Sequence, residues 1–117
     1  MENQFIPYGQ ALELKQLGFN ENYIAYYTND GKLHQGEMWK DKDSIKAPLY
    51  QQAFRWFRDQ YGYTYSIGRT NICVYHLMVQ GTLLTNMIQD CKSYEEAELK
   101  CIQAFIDAAK QIKNTAI

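Results

Sequence analysis

The chain is predicted to be an α+β protein, with antiparallel strands packed against two to three helices in the order α-β-β-α-β-β-β-α. Three observations carry this prediction. Aromatic and apolar residues recur at three- and four-residue spacing over 47–62 and again over 93–112, the period of a helix with one buried face. Between them, residues 63–88 change to period two and to β-forming residue types. Glycine, asparagine and aspartate fall at the changeovers, where the backbone must turn. With 117 residues, 46% of them hydrophobic and 21% charged, one core suffices, and a single domain over 1–117 is expected.

The first element follows Phe5-Ile6-Pro7-Tyr8, where Ala11, Leu12, Leu14 and Leu17 make a short amphipathic helix that Gly18 can cap. Phe19 returns the chain to the core. Tyr23 to Thr28 reads as an aromatic strand, Asn29-Asp30-Gly31 as a turn, and Lys32 to Trp39 as a weaker return strand. Lys40-Asp41-Lys42-Asp43-Ser44 is charged and without period, a mobile loop by expectation. Ala47-Pro48 opens the second helix, since proline suits the first helical position. Tyr50, Ala53, Phe54, Phe57 and Tyr61 fall on its buried face, Gly62 ends it, and Trp56 lies away from the centre of that stripe.

Two turns, Gly68-Arg69-Thr70-Asn71 and Gln80-Gly81, divide 63–88 into three antiparallel strands. With a four-residue first loop and a two-residue second, Tyr63, Tyr65, Ile67, Ile72, Val74, His76, Met78, Leu83, Thr85 and Met87 share the face expected to pack on the helices. Thr64, Ser66, Cys73, Tyr75, Leu77, Val79, Thr82, Leu84, Asn86 and Ile88 share the other, which is apolar enough to meet another part of the chain or a partner. The last helix is announced by Ser93 and Glu96, a capping box, and buries Ala97, Cys101, Ile102, Phe105, Ala109 and Ile112.

Charge and cysteine content exclude whole classes of function. A net charge of −1 offers no cationic surplus for general nucleic-acid or anionic-membrane binding. The basic residues do gather locally, as Lys40, Lys42, Lys46, Arg55, Arg58 and Arg69, a grouping that ordinarily forms a solvated helix face. Cys73, Cys91 and Cys101 are odd in number and contain no CxxC pair, which fits reduced thiols and a cytoplasmic location. The N-terminus lacks the basic and apolar regions of an export signal. Residues 70–89 are uncharged, yet Asn71, His76, Gln80, Gly81, Asn86 and Gln89 interrupt them too often for a membrane span.

Three phrases together carry a resemblance: FIPY at 5–8 with LELKQLGF at 12–19, APLYQQAFRWFR at 47–58, and YEEAEL at 94–99. In these the chain resembles a group of short uncharacterised proteins of Bacteroides-type bacteria and their phages. The resemblance spans most of the sequence and implies a bacterial or phage origin. It carries no activity, cofactor or site residue.

Chemistry finds little support in the residues. Cys73 and His76, three apart on a strand, point to opposite faces and cannot share a metal. Cys91 with His76 is the one conceivable nucleophile and base, and no spacing positions them; His76 is better read as a core histidine satisfied by a tyrosine or threonine hydroxyl, with Tyr63 and Thr85 as its expected neighbours. Glu95 and Glu96 are explained by helix capping, and no glycine-rich phosphate loop, GxSxG or HExxH is present. A non-enzymatic protein without metal or cofactor is therefore expected.

The helix, three-strand, helix order from 48 onward matches double-stranded-RNA-binding domains, but such domains grip phosphates at the start of the last helix. Here that turn reads Ser93-Tyr94-Glu95-Glu96 and repels them. Arg55, Arg58 and Arg69, with Trp56 for stacking, remain as the alternative reading, a weak nucleic-acid binder. Protein recognition or self-association ranks first, through Tyr75, Leu77, Val79 and Leu84 with Trp39 and Trp56, because tyrosine and tryptophan bury large areas with few rotors to freeze.

Overall fold

The computed structural model shows an α+β fold of three helices and two three-stranded antiparallel sheets. It describes residues 5–19, 25–28, 30–35, 45–79 and 81–115. Within the 117 residues, contacts cluster into two compact units, 1–53 and 54–117, the boundary falling inside the second helix.

In the first unit, helix α1 spans Tyr8–Gln16 and buries Ala11 and Leu14. It ends as the glycine predicts. Gly18 takes φ of +100°, its N–H bonds the carbonyl of Lys15, and the Phe19 N–H bonds that of Leu14 at 3.0 Å, so two carbonyls left over by the helix are satisfied. Leu14 and Phe19, the pair this motif brings together, are both buried. Strands β1 (Ala25–Tyr27) and β2 (Leu33–Gln35) form the expected hairpin, and β1 also pairs with a third strand, β3 (Ile45–Lys46). At the hairpin turn the Thr28 hydroxyl donates to the Asp30 carboxylate, which also accepts the Lys32 N–H at 3.2 Å.

Strand β3 is absent from the sequence reading because two residues show no periodicity; only pairing of Tyr26 with Lys46 and Tyr27 with Ile45 makes it a strand. The outer part of the expected return strand, including Trp39, and the charged loop 40–44 lie outside the described residues. The chain start is tied in by a Phe5–Leu49 bridge, the Ile6 N–H to the Pro48 carbonyl at 2.8 Å, and the Tyr27 hydroxyl to the Ile6 carbonyl at 2.7 Å.

Helix α2 (Tyr50–Tyr61) starts two residues later than Pro48 suggests. Leu49 occupies the cap: its carbonyl accepts the Ala53 N–H, and the Gln52 side chain reaches back to accept the Leu49 N–H at 2.9 Å. This is the half of a capping box that a glutamine three residues into the helix supplies. The helix closes on Gly62, at φ +76°, whose N–H bonds the Arg58 carbonyl.

In the second unit, β4 (Thr64–Ile67), β5 (Cys73–Val79) and β6 (Thr82–Ile88) form a meander with β5 central, followed by α3 (Tyr94–Thr115). The two-residue turn between β5 and β6 is as expected: Val79 pairs with Thr82, and Gly81 takes φ of +79°. The β4–β5 turn is not. Asn71 enters the left-handed region at φ +58°, Gly68 and Ile72 become partners through the Gly68 N–H and Ile72 carbonyl, and the loop shortens to Arg69-Thr70-Asn71. One residue fewer in the loop reverses the parity of β4 relative to β5, so Tyr65 faces Tyr75 and Ile67 faces Cys73.

The assignment of faces is corrected accordingly. The helix-covered face carries Tyr65, Cys73 and Tyr75: Tyr75 meets Phe105 edge-on at 5.9 Å, and Tyr65 stacks on Phe54 at 3.8 Å. Val74, His76, Met78, Leu83, Thr85 and Met87, expected against the helices, occupy the opposite face with Thr64 and Ser66.

Helix α3 buries Ala97, Cys101, Ile102, Phe105 and Ala109, together with Ile106, while Ile112 is half-buried. Its cap departs slightly from the simple box. The Ser93 hydroxyl accepts the Glu96 N–H at 3.1 Å, but Glu96 reaches one residue further back, to the Lys92 N–H at 3.0 Å, and also bridges Lys100 at 3.1 Å. The Lys92 N–H and then Lys100 hold the Glu96 carboxyl below its ordinary range. Ser93→Ala, which orphans the Glu96 N–H, is expected to cost about 1 kcal/mol. Urea denaturation followed by circular dichroism checks it, and an unchanged midpoint would show that the cap is dispensable.

Candidate interaction surface

The β5–β6 hairpin owes its length to seven consecutive antiparallel pairs, from Cys73–Ile88 to Val79–Thr82, without a bulge. Its base is held to the rest of the second unit through Cys73 and Tyr75. Cys73 and Cys101 are both fully buried and hydrogen-bonded to one another; that bond, then burial, holds the Cys101 thiol above its ordinary range, so it stays protonated and inert as a nucleophile. Along β6 the cover ends. Every residue from Thr82 to Met87 is exposed, whichever face its side chain takes. Large apolar groups share that exposure: Met78 at 38%, Leu83 at 58%, Leu84 at 45% and Met87 at 55%.

Cross-strand pairing arranges these groups. Met78 lies opposite Leu83 and Val74 opposite Met87, and between the two pairs His76 Nδ1 meets Thr85 Oγ1 at 2.9 Å. The hydroxyl partner expected for His76 is thus present, though its neighbour on β4 is Thr64 instead of Tyr63. The open face is an apolar stripe with one polar pair at its middle. No residue from 70 to 89 carries a formal charge, so a partner strand meets neither attraction nor repulsion there.

Of the residues named from sequence, Tyr75, Leu77 and Val79 are half-buried on the helix side, and Leu84, on that same side, is exposed beyond the cover. Trp56 is buried, 6% exposed, with its ring edge-on to Phe57 and Tyr61, and so is core instead of interface. Trp39 lies outside the described residues. Arg55 and Arg58 are exposed one turn apart on α2, with Arg58 3.7 Å from Asp59, and Arg69 is exposed in the β4–β5 loop. Lys40 and Lys42 are outside the described residues.

Sequence reasoning missed Met78, Leu83 and Met87 as surface groups because it placed them against the helices. The signal that could have found them is Asn71, one of the few non-glycine residues that accepts the left-handed conformation a three-residue hairpin loop demands.

Among the described residues no three His, Cys, Asp or Glu side chains are grouped to hold a metal ion, and no helix is long and apolar enough to cross a membrane. In the first unit an open depression of about 450 Å³ is lined by Tyr27, Gly31, Lys32, Leu33 and His34. Lys32 and His34 there are exposed. No protein-family model, curated protein or solved structure matches the chain. The class defined by fold and surface is an α+β protein with an open, apolar β-hairpin.

Proposed function

We propose that this is a small non-enzymatic interaction or regulatory protein of bacterial or phage origin, acting in the cytoplasm, whose working surface is the open half of the β5–β6 hairpin. One observation carries the reading: Met78, Leu83, Leu84 and Met87 are exposed together on an uncharged, regularly paired hairpin. Apolar side chains so exposed cost solubility, and contiguous ones mark sites of association more often than scattered ones do. The location is the right one for recognition, since a strand edge offers main-chain hydrogen bonds and its two faces offer side-chain contacts.

The test is affinity capture of the tagged chain with and without nuclease, run beside a Leu83→Lys/Met87→Lys variant. Both positions are exposed, so the variant should keep its circular dichroism spectrum and thermal midpoint while losing a nuclease-resistant protein, its own untagged copy included. Identical capture by parent and variant would count against the hairpin. Recovery of nucleic acid instead, lost on Arg55→Glu/Arg58→Glu, would move the function to the exposed arginines of α2.

A further inference from the structure

We infer that the partner of this hairpin is a second copy of the chain, joined by antiparallel pairing of β6 with β6 about a two-fold axis at Thr85. The inference rests on the interaction reading and adds the partner and its register. β6 is an edge strand of its sheet and has none of the devices that ordinarily blunt an edge: no charge, no proline and no bulge along Thr82–Ile88.

Backbone direction follows from the ladder. The two-residue turn makes Val79–Thr82 a hydrogen-bonded pair, and such pairs alternate, so Thr82, Leu84, Asn86 and Ile88 direct their N–H and C=O to β5. Leu83, Thr85 and Met87 then direct theirs to the open edge.

A second β6 matches this edge residue for residue. Thr85 is the midpoint of Thr82–Ile88, so a two-fold axis there overlaps the whole strand with its copy. Thr85 then pairs with its own counterpart, and Leu83 pairs with Met87 of the other copy on both sides of the axis. All three pairs use the outward-pointing backbone groups, and each exchanges two hydrogen bonds. On the open face the two most exposed apolar side chains of β6, Leu83 and Met87, cover each other across the junction, with Thr85 between them on the two-fold axis. On the other face Leu84 lies opposite Asn86.

Electrostatics agrees, because residues 70–89 bring no charge and so place no like charges opposite one another. A strand of seven residues is about 24 Å long. Pairing of that length with few side chains falls short of the ~1,200 Å² of a standard stable interface, so the dimer is expected to be reversible and concentration-dependent.

Sedimentation velocity of the full chain across a micromolar to millimolar series tests this. The expected result is a monomer–dimer equilibrium that Leu83→Lys/Met87→Lys weakens at least tenfold by setting lysine opposite lysine. Leu83→Lys/Met87→Glu should restore it, since this register sets each lysine against the other copy's glutamate. Thr85→Pro, which removes one outward N–H and leaves the β5 ladder intact, should also abolish the dimer, whereas Thr85→Val should keep it; circular dichroism verifies that each variant is folded.

A parent chain that stays monomeric, or a dimer that the lysine–glutamate variant fails to restore, would overturn the inference. If the monomeric chain still captures another protein through Leu83 and Met87, the interaction reading survives without it. If the lysine variant changes neither readout, both fall.

Discussion

Phe105→Ala should lower stability by about 3–5 kcal/mol, the usual loss when a buried phenylalanine leaves a cavity that its neighbours cannot fill. Phe105 is fully buried on α3, with Phe57 at 5.4 Å, Tyr63 at 5.3 Å, Phe54 at 5.8 Å and Tyr75 at 5.9 Å between ring centroids. One ring therefore links helix α2, the sheet and helix α3. Rings of this size are stiff, and four of them cannot all move inward without leaving their rotamers, so the cavity should persist. Small domains have only about 5–15 kcal/mol in total, which makes the variant marginal at room temperature. Equilibrium urea denaturation measures the loss. Phe105→Leu, which retains most of the volume, should lose less; equal losses would mean that ring geometry, and not filled volume, sets the cost.

Charge substitution should separate two residues that the sequence treats alike. Tyr75 and Leu84 both point to the helix side of the sheet, on the neighbouring strands β5 and β6, but Tyr75 is half-buried and Leu84 exposed. Tyr75 packs against Phe105, and burial holds its phenol above the ordinary tyrosine range. Tyr75→Lys replaces that ring with an ammonium set against Phe105, and roughly 3 kcal/mol or more should be lost. Leu84→Lys sits at an exposed site and should change stability by less than about 0.5 kcal/mol. Thermal and urea midpoints of the two single variants decide the matter. A destabilised Leu84→Lys would show that cover extends to the hairpin turn, and a stable Tyr75→Lys would show that the phenol side chain swings out at little cost.

The helices were largely legible because their signals are local. The Ser93 and Glu96 spacing, the stripe from Ala97 to Ala109, and Gly18 and Gly62 as terminators each act within one or two turns, where hydrogen-bond geometry follows from residue type. Their detailed placement was less so: Pro48 looked like a first helical residue, but its carbonyl is engaged by the Ile6 N–H, and the cap passed to Leu49 with help from Gln52. Trp56 looked peripheral on the helix stripe, yet it is buried, with its ring edge-on to Phe57 and Tyr61. A helical stripe describes one buried face, and an aromatic residue at its margin is large enough to be drawn into the core from the side.

Sequence alone determined that this chain alternates between helices with one apolar face and short strands, that its turns fall at Asn, Asp and Gly, and that His76 would find a hydroxyl. These follow from residue-level preferences. Tertiary structure alone decided which face of the second sheet is buried, because that choice turned on one residue of loop length: Asn71 at φ +58° makes the β4–β5 loop three residues long instead of four. Strand parity has a period of two, so a single-residue change exchanges the faces completely. β3, two residues without a period, appears only through its pairing with β1, and the apolar surface lies at Met78, Leu83 and Met87, where period-two counting had placed core.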